Sequence, residues 1–149
     1  MVDNGDVPFA VLGLDHVNVT APKELEDDVL GWYRNTLGLT EMVKPEGTRE
    51  AGGWFRAGNQ QVHVSVDEHN PPQTAHFGLV VDDYRPVVER LRAAGCYLEQ
   101  ADEIPGRHRF YTRDPAGNRV EILSYDEPRA VITAEESAGD RRATVLAEE

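Results

Sequence analysis

The chain has 149 residues, 40% hydrophobic and 28% charged, the proportions of an ordinary folded domain. Lys plus Arg number 15 against 27 Asp plus Glu, a formal net charge of -12, which disfavours a nucleic-acid partner and leaves cationic or neutral small molecules open. A lone cysteine, Cys96, excludes an internal disulfide; no apolar run approaches the roughly 20 residues of a membrane span, and the acidic start lacks the basic residues of a signal peptide, so a cytoplasmic protein is expected.

In chain order, residues 1–10 read as a polar tail. Residues 11–20 carry the first strand signal. A helix follows over about 23–37, because Leu25, Val29, Trp32 and Tyr33 fall on one face of a 3.6-residue period, and Gly38 supplies its stop. Short extended stretches come near 41–44, 53–57 and 60–66, the last two joined by the turn pair Gly58-Asn59. Residues 67–73 read as a linker. The same order then recurs. A strand spans 74–81; a helix capped by Asp83 uses Val87, Val88, Leu91 and Ala94 as its apolar face and ends at Gly95. Extended stretches near 97–100, 107–113 and 119–125 close the repeat, with Asp114-Pro115-Ala116-Gly117-Asn118 as the last turn. Residues 128–149 form a tail in which Thr133–Glu136 could cap a short helix.

The pattern is one βαβββ unit used twice, residues 11–66 and 74–127, an α+β architecture. Strand alternation assigns faces. His16 shares a face with Asn18, and His63 with Gln61 and Ser65; His76 lies opposite Phe77 and Leu79, and Glu121 opposite Val120 and Ile122. Four strands thus present one metal-competent group each on the side away from the helices: His16, His63, His76 and Glu121. A single strand histidine is ordinarily just a satisfied polar residue, and alternation alone does not bring the four together. If they line one cup, three imidazoles and a carboxylate suit a divalent transition metal such as Zn, Fe(II), Co, Ni or Mn. His69, in the linker, and His108, opposite Arg109 and Tyr111, have weaker claims. Arg56, Arg109 and Tyr111 are candidates for contacting an oxygenated or anionic substrate, together with Asn18 and Gln61 as orienting groups.

The segments Leu14-Asp15-His16-Val17, residues 32–38, Ala75-His76-Phe77 and, most specifically, residues 109–121 make the chain resemble the vicinal oxygen chelate superfamily over about 11–127. That superfamily includes glyoxalase I, fosfomycin-resistance transferases, methylmalonyl-CoA epimerase, extradiol dioxygenases and bleomycin-resistance proteins. The resemblance implies paired βαβββ modules forming an open β-barrel cup, with His16, His63, His76 and Glu121 as metal ligands and Glu121 as the base. It implies Lewis-acid catalysis on a small oxygen-chelating substrate, of lyase, isomerase or transferase type, in a homodimer. Two alternatives accompany it: a metal-free drug- or metabolite-binding protein of bleomycin-resistance type, favoured for cationic ligands by the net charge, and an Fe(II) or Mn extradiol-type dioxygenase. His63 departs from glyoxalase I-like members, which usually carry Glu there. Epimerase-like members place a Gln in that strand, and Gln61 lies on the same face as His63.

Overall fold

The structure is a computed structural model that describes residues 8–10, 12–68 and 74–127. Both expected tails, most of the linker and His69 fall largely or wholly outside those residues.

The first module runs β1 (His16–Ala21), a 3-10 turn (Lys23–Leu25), α1 (Glu26–Gly31), a π turn (Trp32–Thr36), β2 (Thr40–Met42), β3 (Gly53–Ala57) and β4 (Gln60–Val66). The second runs β5 (His76–Val80), α2 (Tyr84–Ala93), β6 (Leu98–Gln100), β7 (Arg107–Arg113) and β8 (Arg119–Tyr125). Each module makes its own four-stranded mixed sheet, in the orders β1-β4-β3-β2 and β5-β8-β7-β6. In each, the opening strand pairs in parallel with the closing one and the other pairs are antiparallel. The duplicated βαβββ unit is therefore real, and the fold is α+β.

The expected helix over 23–37 is one helical segment whose pitch changes twice. Its apolar stripe buries Val29, Trp32 and Tyr33, and Gly38 ends it in the left-handed region at φ 73°. Asp83 caps α2 by accepting from the Arg85 amide at 3.1 Å. Two expectations need correcting. The first strand begins at His16, not residue 11, because its parallel partner starts at Gln60; upstream, the Gln60 side chain bonds the Leu14 carbonyl in place of a ladder. Ala94 is exposed, since it lies past the last turn of α2 and does not belong to the buried face.

The inward faces of both sheets join one core. Val19, Ala21, Phe55, Val62 and Val64 of the first sheet meet Phe110, Val120 and Ile122 of the second, with Val29, Trp32, Tyr33 and Leu91 from the helical segments in the same cluster. Each valine, leucine, isoleucine or phenylalanine among them contributes about 1.5–3 kcal/mol when fully buried. Polar staples cross the seam. Asn118 Nδ2 donates to the Thr20 carbonyl at 2.9 Å, and Arg90 donates to the Thr36 and Asn35 carbonyls at 2.8 Å each. With the apolar faces committed to this core, the opposite faces carry the polar strand residues. Among the described residues no helix is long and apolar enough to cross a membrane.

Candidate functional site

On the first sheet, register aligns two rows across the outer face: His16, Gln61 and Arg56, then Asn18, His63 and Trp54. His63 is buried between two rings, with His16 stacked at 4.0 Å and Trp54 at 3.9 Å between centroids. Its Nε2 donates to Gln61 Oε1 at 2.8 Å, which leaves the lone pair on Nδ1. Burial, then the neighbouring His16, lowers the His63 pKa below 6.5, with Asp15 opposing. His63 therefore stays in the neutral form that can ligate a cation. His16 Nδ1 donates to the Asp15 carboxylate at 2.8 Å, which leaves the lone pair on Nε2. Asn18 accepts from Ser65 Oγ at 2.9 Å. Arg56 is exposed, with Thr40 of β2 beyond it in the row. A cleft of about 640 Å³ borders Asn18, Trp54, His63 and Ser65.

On the second sheet, the outer face carries His76 and Gly78 of β5, Arg119, Glu121, Leu123 and Tyr125 of β8, and Arg107, Arg109, Tyr111 and Arg113 of β7. Glu121 Oε1 accepts from Arg109 Nη1 at 2.7 Å, and the two side chains are only 15% and 13% exposed. The same nitrogen reaches the Tyr111 hydroxyl at 3.0 Å. Glu121 Oε2 lies over Gly78, where an added Cβ would come within 3.1 Å of it. His76 donates from Nδ1 to the Thr74 carbonyl at 2.8 Å, so its Nε2 carries the lone pair. Its ring meets Tyr111 edge-on at 5.0 Å.

Within one chain, then, the four expected ligands stand as two pairs on two sheets. Among the described residues no three His, Cys, Asp or Glu side chains gather closely enough to hold an ion. His108 lies on the helix side of the second sheet but is exposed, stacked on Tyr84 of α2 and 3.1 Å from the Asp126 carboxylate. Sequence reasoning passed over Trp54, which clamps His63, and Arg119, whose guanidinium lies 3.6 Å from the Tyr111 ring centre. The alternation that selected His63 and Tyr111 selects both of these as well.

Residues 13–122 match the family profile of the Glyoxalase/Bleomycin resistance protein/Dioxygenase superfamily. The chain belongs to that superfamily. It is 33% identical to a protein of Bacillus anthracis assigned to the glyoxalase family, with a TM-score of 0.75 over 80% of this chain and 100% of that one. Its fold is also that of lactoylglutathione lyase from Agrobacterium tumefaciens (24% identity, TM-score 0.59, 76% and 94% covered). TnmS3, an antibiotic binding protein from Streptomyces, shares the fold too (16% identity, TM-score 0.64, 79% and 99% covered). No curated protein matches the chain in sequence.

Members of this superfamily often use a divalent metal. Transition-metal sites in proteins take three or four protein ligands. One sheet face here offers two nitrogens and the other a nitrogen and a carboxylate, so neither face suffices alone. Three nitrogens and one carboxylate oxygen are donor types that such a metal takes, provided the two faces are brought together.

Proposed function

We propose that this chain is a metal-dependent, glyoxalase-type enzyme whose cup is completed in a homodimer, His16 and His63 of one protomer facing His76 and Glu121 of the next. The observation that carries this reading is the matched placement of the two pairs, each on the outer face of a repeated sheet and each with its ring tautomers fixed by a hydrogen bond. When bound, a divalent metal supplies Lewis acidity toward neighbouring oxygens of a small substrate. The chain's own residues do the rest. Burial keeps His63 neutral, and Trp54 holds its plane. Arg109 anchors Glu121 through Oε1, which leaves Oε2 to take and return a proton as a lyase or isomerase requires.

A second reading, a metal-free binding protein, draws support from the Arg109–Glu121 ion pair, which already satisfies half of the carboxylate. Protein purified without chelator separates the two. The enzyme reading expects a dimer by light scattering and about one metal ion per chain by mass spectrometry. A monomer, or a metal content near zero that added Zn, Fe(II), Co, Ni or Mn does not restore, contradicts it.

A further inference from the structure

The chain is strongly acidic, yet the outer face of its second sheet is basic. Arg107, Arg109, Arg113 and Arg119 all project there by strand parity, against the carboxylates of Glu121 and Glu99. The local sign is thus opposite to that of the whole chain, and the local field is what a bound group experiences.

The four arginines are not equally engaged. Arg109 is held by Glu121, Tyr111 and the Asp102 carbonyl, and Arg113 donates to the Gly117 carbonyl at 2.8 Å. Arg119 is held loosely. It reaches the Thr74 carbonyl at 3.3 Å and Glu99 at 3.5 Å, both longer than the 2.7–2.9 Å of a good charge-assisted bond. The buried Nε atoms of Arg107, Arg109 and Arg119 alike have no hydrogen-bond partner, and Arg107 lies over the Tyr125 ring, four residues along β8 from Glu121. The flat face of the Arg119 guanidinium rests on Tyr111. Stacking of this kind orients the group while leaving its edge donors for a planar oxyanion. Arg119 also pairs in register with His76, on a neighbouring strand about 4.8 Å away, and lies two residues from Glu121.

We propose that Arg119, oriented by Tyr111, is an oxyanion-binding residue, and that the substrate is a small acid whose carboxylate lies beside its chelating oxygen, as in a 2-hydroxy or 2-oxo acid. The inference rests on the functional reading above for which face meets substrate, and needs no metal for the anion contact. It reverses the preference for cationic ligands that net charge alone suggests.

The test uses metal-stripped, dialysed full-length protein, with glycolate, its neutral counterpart glycolamide and inorganic phosphate as probes. Binding is followed by calorimetry and by the 15N signals of the arginine side chains. Glycolate should bind at least about tenfold more tightly than glycolamide and move the Arg119 signal. Arg119→Gln should abolish that preference and Arg119→Lys should restore part of it, whereas Arg92→Gln, on the exposed face of α2, should leave it intact. Equal binding of acid and amide by the wild-type protein overturns the proposal without any variant. So does selective binding of phosphate that Arg119→Gln leaves unchanged. A dimer that binds no anion but dissociates in salt also overturns it, because Arg119 would then pair with carboxylates of the second copy. Glycolate binding that depends on Arg119, in a protein that takes up no metal, would sink the enzyme reading and uphold Arg119 as the anion contact of a binding protein. Normal metal uptake with no preference for acid over amide would do the reverse.

Discussion

The Tyr33 hydroxyl donates a 2.9 Å hydrogen bond to the Asp114 carboxylate, joining the helical segment of the first module to the β7–β8 turn of the second. The same carboxylate accepts from the amides of Ala116 and Asn118 and from Asn118 Nδ2. All three side chains are buried. The turn that carries the most specific part of the family resemblance therefore works as a joint between modules, and so fixes how the two outer faces are disposed.

Tyr33→Phe leaves the ring in the core and removes one donor from a buried carboxylate. We expect a loss of about 1–3 kcal/mol, and a larger loss for Asp114→Ala, which strands several donors at once. Urea unfolding monitored by tryptophan fluorescence measures both. Equal stability of Tyr33→Phe and wild type would show that the joint contributes nothing.

His63 gives the pH dependence its sign. Burial, followed by the His16 charge, lowers its pKa in the folded state, so the unfolded chain takes up this proton first. Its contribution to stability is complete above 6.5 and is lost as pH falls through the folded value. Between pH 7 and pH 5 the wild-type protein should therefore lose stability more steeply than His63→Gln. Parallel curves for the two proteins contradict this assignment.

Gly78 sits beneath the Glu121 carboxylate. A methyl group there meets Glu121 Oε2 at 3.1 Å and Leu123 Cδ2 at 3.3 Å, both ends of flexible side chains. Gly78→Ala should shift Glu121 while costing no more than about 3 kcal/mol of stability. Metal affinity or turnover should fall at least about tenfold, since ligand and base positions are sensitive to displacements of this size. An unaffected site would show that Glu121 Oε2 takes no part.

Much of this was legible in the residues. Alternation placed His16, His63, His76 and Glu121 on the faces away from the helices because a two-residue period leaves no other choice once the valines at 62 and 64 and Ile122 are buried. What alternation cannot encode is the relation between sheets. That relation depends on contacts far apart in the chain, such as Tyr33 with Asp114 and Asn118 with Thr20, which have no local signature. The basic face was hidden for a different reason. Net charge averages over the whole surface, and the arginines at 107, 109, 113 and 119 show as a cluster only when β7 and β8 are paired in register.

The central claim is that two chains share each cup, and mixing two defective proteins tests it most directly. One carries His16→Ala and His63→Ala, the other His76→Ala and Glu121→Gln; they are combined, unfolded and refolded together, and metal bound to the mixture is measured against wild type. A shared cup predicts that neither variant binds alone, and that the mixture regains about a quarter of the wild-type metal, one intact site in each mixed dimer. No recovery from a mixture shown to contain mixed dimers would contradict the account.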